Sequence, residues 1–390
     1  MNKKVIRILI FITILTIGFP YELQAEEAID ELRDSLIDDI SLEGVEEYWG
    51  SLSNQYGGYL PEMQKTTIYD FFVNAEEISF KSIFLGFMDF FFHELIYNGK
   101  LLGSLLLLTI FSILLQTMHT AFEKSTVSKI AYFVVFLVLI FMALHSFYTA
   151  VSYAKEAIDT MNSFMIGLLP LMLGLMATFG NIVAVSFFHP IIIFLINFSG
   201  VFISYFVLPI LSFSALLVII SSISENYKVT NLANLLRSIA LGSLGVLLTI
   251  FLGVMSVQGA ASAIQDGVAM KTAKFITGNF IPVVGRTFTD AADTILSATL
   301  LLKNSLGIVG LIIILFICLF PAIKILVIAL IYKVAAAILQ PIGDGPVIVT
   351  LQALSTYILY VFACLLAVSF MFLLAIILIV AASNLTLLLR

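Results

Sequence analysis

The sequence predicts an all-α polytopic membrane protein: six to eight transmembrane helices with one or two re-entrant helical hairpins, after a cleaved signal peptide and an exported helical segment. Three observations predict it. First, 61% of the 390 residues are hydrophobic and 11% are charged, whereas soluble domains hold about 45–50% and about 25%. Second, six apolar runs reach the ~20 residues that a helical span requires. Third, the scarce charge is segregated. Residues 1–25 carry three bases and one acid, residues 26–100 carry 16 acids and 4 bases (net −12), and residues 101–390 carry 8 acids and 12 bases (net +4). A mean hydropathy of +1.11 excludes a soluble enzyme and a disordered chain, and the lack of a Lys/Arg excess excludes a nucleic-acid binder. Two cysteines are too few for a disulfide scaffold.

Lys3, Lys4 and Arg7 form a positive n-region, Ile8 to Phe19 an apolar run too short for a comfortable span, and Pro20 breaks the helix before Leu23-Gln24-Ala25. This is the pattern of a cleaved signal peptide over residues 1–25; a retained first helix is the alternative. Either one exports residues 26–100. From Glu26 to Tyr48, Ile29, Leu32, Leu36 and Ile40 recur at helical spacing among acids. One helix with one apolar stripe cannot bury itself, so it lies on a partner, on another copy or on the membrane domain. An Asn54–Gly58 loop and Pro61 follow. Residues 66–97 are Phe-rich and suit one or two helices in the headgroup layer that lead into the first span.

The membrane domain, residues 101–390, holds spans at Leu101–Ala121, Lys129–Ala150, Val201–Ser222, Arg237–Val257, Leu306–Tyr332 and Thr356–Ala382. Between them, residues 163–198 (broken at Phe179-Gly180-Asn181) and 272–304 (with Gly278, Pro282 and Gly285) are candidates for hairpins that enter the bilayer and turn back. Non-helical backbone at membrane depth must line protein or a water-filled cavity. Counting the first hairpin as two spans gives eight helices; counting it as re-entrant gives six. Pro170 and Pro209 are spaced as Pro282 and Pro321 are, which suggests a duplication of about 160–260 in 272–382, as in transporter-like folds. Lys124, Lys129 and Lys228 lie in cytoplasmic loops on this topology, in accord with the positive-inside rule. Lys271, Lys274, Arg286 and Lys303 fall on the other side, a conflict that fades if 258–304 folds into the protein.

No phosphate-binding Gly-Lys-Ser/Thr loop and no metal spacing occur; Cys318 and Cys364 lie within spans as small hydrophobes. No catalytic residue, cofactor site or metal site is expected, and the chain reads as non-enzymatic. Ser238, Gly242, Gly245, Thr249, Gly253 and Ser256 share one face of a span, a stripe suited to close helix packing, or to a narrow conduit or sliding face. The candidate passage or gating residues are Arg286, Asp290, Asp293 and Lys324, with Pro282, Gly278 and Gly285. A charge at membrane depth costs about 2.5–3.5 kcal/mol on insertion scales and faces a cavity or a partner unless it snorkels, as Lys271 and Lys333 are expected to do. Gln340 to Pro346 forms a rigid polar turn.

Asn98-Gly99-Lys100-Leu101-Leu102-Gly103, Phe122-Glu123-Lys124-Ser125-Thr126-Val127-Ser128-Lys129 and the block from Val257 to Asp293 resemble the stage III sporulation protein AE family. That block includes Thr272-Ala273-Lys274-Phe275, Gly278-Asn279-Phe280-Ile281-Pro282-Val283-Val284-Gly285-Arg286 and Phe288-Thr289-Asp290. The resemblance covers essentially the whole chain. It implies a multi-pass protein of the mother-cell membrane around the forespore, with residues 26–100 extracytoplasmic. It implies an integral-membrane core component of a secretion-like, trans-envelope channel complex that supports forespore development and late forespore gene expression. The implied partners are other membrane proteins of the same operon, including an ATPase-like subunit, and a forespore-side protein. The lipid bilayer and a second copy of the chain complete the partner set; nucleic acid is not in it. The family carries no catalytic residues to transfer. A self-contained secondary transporter for a small solute, using Arg286, Asp290, Asp293 and Lys324, and a non-conducting scaffold are the rival readings.

Overall fold

The most apolar stretches of the chain form the centre of the molecule, because they carry little that needs water. The structure is a computed structural model that describes residues 43–60, 80–121, 126–178, 182–223, 228–280, 284–342 and 345–388. The expected signal peptide and acidic stripe up to Ile40 lie outside these residues. Among the described residues the helices are α1 (Glu43–Tyr56), α2 (Phe80–Tyr97), α3 (Gly99–Ala121), α4 (Thr126–Thr178), α5 (Ile182–Phe202), α6 (Leu208–Ile223), α7 (Thr230–Phe280), α8 (Val284–Leu339) and α9 (Pro346–Leu388). One π turn, Ile203–Val207, joins α5 to α6, and a 3-10 turn, Gln340–Ile342, ends α8.

Among the described residues, six stretches are long and apolar enough to cross a membrane: Lys81–Met118, Ile130–Ala177, Pro190–Ser222, Thr230–Val257, Leu302–Ile342 and Pro346–Ala381. Each expected span falls essentially within one of them, so the chain is an all-α polytopic membrane protein. The stretch at 163–198 is not a separate short pair: it is the end of α4 and the start of α5. Likewise 272–304 is the end of α7 and the start of α8, with Pro282 outside the described residues. Pro170, Pro190 and Pro321 are accommodated inside helices. Pro209 has no N–H to give to residue 205, and just before it the ladder widens into the π turn, where the Leu208 N–H donates to the Ile203 carbonyl.

The helices overreach a bilayer. α4 has 53 residues and α8 has 56, or about 80 Å each at 1.5 Å per residue, against a hydrocarbon core of about 30 Å. The ends at Ala121, Ile223 and Ile342 lie together. Ser221 bonds to Thr230 at 2.8 Å, Ser222 to Thr350 at 2.7 Å, and Gln116 lies beside Gly345.

α8 and α9 pack along their lengths at the centre, with α4 and α7 against them. Gly307 and Gly310 make the close approach: a Cβ at Gly307 would stand 2.5 Å from Val380 Cγ2, and one at Gly310 would stand 2.6 Å from Leu168 Cδ2. Cross-helix hydrogen bonds supplement the packing. Ser214 donates to the Ala233 carbonyl (2.6 Å) and pairs with the Tyr357 hydroxyl (2.7 Å), and the Tyr332 hydroxyl donates to Ser146 (2.9 Å). Lys303 is fully buried and donates to the Val380 carbonyl at 3.2 Å, so this charge of the 258–304 segment is indeed folded into the protein.

The small-residue stripe on α7 behaves differently from close packing within the chain. Ser238, Gly242, Gly245, Thr249, Gly253 and Ser256 are all exposed, and a Cβ at Gly242, Gly245 or Gly253 would meet nothing within 4 Å. α7 turns Ala233, Ala240, Leu244, Leu247, Phe251 and Met255 inward instead. We therefore expect Gly307→Val to cost about 1–3 kcal/mol through overpacking against the stiff Val380 side chain. Gly245→Ala should stabilise the purified chain by up to about 1 kcal/mol. Thermal unfolding in detergent of both variants beside the parent protein checks the contrast.

Candidate functional site: the seam beneath the N-terminal helix

α1 presents one apolar stripe, and that stripe chooses the membrane body as its partner. Val45, Trp49, Leu52, Tyr56 and the following Leu60 are only 3–7% exposed, while Glu46, Glu47 and Asn54 face outward and Ser51 and Gln55 stand at the exposed rim between the two faces. Each such apolar side chain gains about 1.5–3 kcal/mol on leaving water. The expected loop at Asn54–Gly58 starts later than the sequence suggests. Tyr56 belongs to the same buried face, so the helix continues to it, and Gly57 closes the turn through its N–H to the Ser53 carbonyl (2.9 Å).

Aromatic contacts fix the register. Tyr56 stacks on Phe320 of α8 with ring centroids 3.7 Å apart, and Phe90 of α2 meets both rings edge-on at 5.8 and 5.0 Å. Tyr48 at the other end of α1 meets Phe164 of α4 edge-on at 5.2 Å. Gly86 is needed where α2 passes the end of α1: a side chain there would run into the Tyr59 carbonyl and Leu60. The Phe-rich segment at 80–97 thus packs Phe87 and Phe90 on α8 and α1 while Phe84 and Phe92 stay exposed, and it reaches the first span through Asn98, whose amide bonds the Glu94 carbonyl and carboxylate (both 2.9 Å).

Between α1, α4 and α8 lies a cavity of about 230 Å³, walled by hydroxyls, the Gln55 amide and two charges, Glu156 and Lys324. The Lys324 ammonium sits 5.2 Å from the Tyr153 ring centroid and 5.9 Å from that of Tyr56, contacts that favour a cation by about 0.5–2 kcal/mol according to desolvation. Pro321, one turn earlier, cannot supply the N–H that the Ile317 carbonyl takes in a regular helix, and both residues line the cavity. A more open hollow continues along α4 past Ser152, Lys155, Asp159 and Ser163. There Ser204 of the π turn donates to Asp159 (3.1 Å), and Lys155 lies 4.4 Å over the Tyr205 ring. Burial raises the pKa of the Tyr56 hydroxyl to about 12, with Glu156, Glu94 and Tyr153 adding to it. Burial and then Glu47 raise that of Tyr48, against a hydrogen bond with Ser163.

This geometry can hold a small polar solute or water against one cation and one carboxylate. Among the described residues, no group of three His, Cys, Asp or Glu side chains is arranged to hold a metal.

The chain matches the family described as stage III sporulation protein AE over residues 63–383. It is 51% identical over 364 residues to "Stage III sporulation protein AE" of Bacillus subtilis (strain 168), covering 93% of this chain and 91% of that one. The chain belongs to the stage III sporulation protein AE family. No solved structure matches it. Family membership gives this multi-pass membrane protein a role in sporulation, and the seam is the feature of this family member that its sequence left hidden.

Of the expected passage residues, Lys324 is the one with a described side chain, and it lines the cavity. Arg286, Asp290, Asp293 and Gly285 fall in the first turns of α8, and Gly278 falls in the last turn of α7; the side chains of 258–301 lie outside the described residues. Arg286 and Lys324 are 38 residues apart on one helix, or about 57 Å, so these two do not share a site. Sequence reasoning missed Lys155, Glu156, Asp159 and Thr160. The signal was present: no glycine or proline occurs between Lys129 and Ile166, so these polar residues had to lie on a continuing helix rather than in a loop.

Trp49 is the protein's single tryptophan, and its burial beneath α1 makes it a reporter of docking. Docked Tyr56 stays neutral to about pH 12, whereas a released tyrosine ionises near 10. Docking is therefore fully supported below about pH 10 and weakens as pH rises towards about 12. We expect Trp49 emission to shift red over that interval, and Tyr56→Phe to move the shift to higher pH while keeping the ring stack.

Proposed function

We propose that this chain is a non-enzymatic, integral-membrane core component of a trans-envelope conduit between mother cell and forespore, needed for forespore development and late forespore gene expression. It would sit in the mother-cell membrane with α1 and the acidic segment before it on the extracytoplasmic side. The observation that carries this reading is the outward face of α4. From Ile130 to Tyr148 that face is apolar apart from His145: Ile130, Phe133, Val134, Leu137, Val138, Phe141, Tyr148. From Ser152 onward it becomes Ser152, Glu156, Asp159, Ser163, Gly167 and Gly174, interrupted by Ile166 and Pro170. The first portion suits about 30 Å of lipid. The second suits water or protein, as expected of helices that run on into the space between two membranes.

The proposed partners are the other membrane proteins of the same operon, including an ATPase-like subunit, with a forespore-side protein and a second copy of this chain. Arg286, Asp290 and Asp293, beside Gly278, Pro282 and Gly285, are the proposed gating set at the far ends of α7 and α8, and Lys324 is the proposed passage residue under α1. A secondary transporter is the second reading, favoured by the cavity that sets Lys324 against Glu156.

Lys324→Gln and Arg286→Gln should each sharply lower the yield of heat-resistant spores while the chain stays in the membrane at the parent level. Normal spore yield from both variants would contradict the conduit. Solute uptake by liposomes containing this chain alone would favour the transporter instead.

A further inference from the structure

We propose that α1 is a displaceable lid, closing the polar cavity between α4 and α8 from the side on which α1 docks. Five of the twelve residues around that cavity belong to α1: Tyr48, Ser51, Leu52, Gln55 and Tyr56. The opposite wall is membrane helix, with Glu156, Thr160 and Lys324 as its polar groups and Ala157 at its base. Glu156 is reached by solvent even with α1 docked, and removing α1 uncovers the rest of that wall, the half-buried Lys324 included. The membrane helices remain packed on one another over their own lengths.

Three features make α1 separable. It has only 14 residues, a length at which an isolated helix is marginal in water, so its helicity depends on docking. It carries a polar outer face and one apolar stripe, whereas α8 and α9 are buried on several sides. Its end meets α2 through Tyr56, Tyr59 and Leu60 against Phe90 and Gly86, so the turns before Tyr56 can lift while α2 stays in place. Elements of this kind lie at the low-stability end of a fold and open locally. The cation–π contact of Lys324 with Tyr56 then acts as a latch: the charge within the cavity holds the ring that closes it. The lid stands on the docking geometry and not on the conduit reading. It would add to that reading that the exported segment controls access to the membrane body.

The test uses the full-length protein in native membranes, with Cys318 and Cys364 replaced by alanine. Ala157→Cys, at a position 3% exposed beneath α1, reports opening; Ala375→Cys, at a fully buried position on α9, reports disruption of the bundle. A water-soluble maleimide is added to opened membrane fragments, so that it reaches α1 from either side. Ala157→Cys should react slowly with intact α1. With Leu52→Asp or Tyr56→Ala it should react about tenfold faster, the factor that corresponds to roughly 1.4 kcal/mol of lost docking, while Ala375→Cys stays protected. An unchanged rate at Ala157→Cys with both loosening variants overturns the lid. Equal acceleration at Ala375→Cys also overturns it, since α1 would then be part of the cooperative core.

Discussion

The pairing of α8 with α9 is the contact on which the rest of the bundle depends. Lipid gives apolar helices little reason to prefer one another over acyl chains, so association relies on close backbone approach and on hydrogen bonds that cross between helices. Gly307 and Gly310 supply the approach, letting Val380, Ile376 and Leu168 reach the α8 backbone. The two most apolar runs occupy the centre, where Lys303 is held by the Val380 carbonyl, while Glu156 and Lys324 lie at the periphery, where α4 and α8 meet α1.

That placement explains the seam. α8 is interrupted by Pro321 and carries Lys324 one turn later, a combination that would be costly against lipid. Here it is covered by a helix from outside the bundle, with Tyr56 stacked on Phe320 and Tyr153 beneath the ammonium. On the other flank of α4, Asp159 and Lys155 are held by Ser204 and Tyr205 of the π turn. The turn exists because Pro209 cannot continue a regular ladder. The π turn before α6 and the Pro321 turn of α8 thus both lie against the same charged turns of α4.

Much of this was legible in the sequence, and the gaps have physical causes. Hydropathy located all six spans because a lipid-facing helix must be apolar along its outer face. The α1 stripe announced the need for a partner without naming it, since periodicity defines a face and not a neighbour. The same limit applies to the glycines. The spacing of Gly242, Gly245 and Gly253 showed a common face, yet that face points outward, and the glycines that let α9 and α4 approach α8 are Gly307 and Gly310. Lys155, Glu156 and Asp159 were overlooked because a search for breaker-rich segments passes over charges on an unbroken helix. A helix of 53 residues was hidden for a related reason: its polar middle looks like a loop when spans are sought in units of ~20.

Where the bilayer ends along α4 decides whether its polar outward face meets water or lipid. The most direct measurement is a cysteine scan of its outward face in intact membranes with a water-soluble maleimide. Val134→Cys and Phe141→Cys should be unreactive from either side, and Ser152→Cys, Ser163→Cys and Gly174→Cys should react from the extracytoplasmic side. Protection of Ser163→Cys and Gly174→Cys equal to that of Val134→Cys, or reaction from the cytoplasmic side, would contradict it.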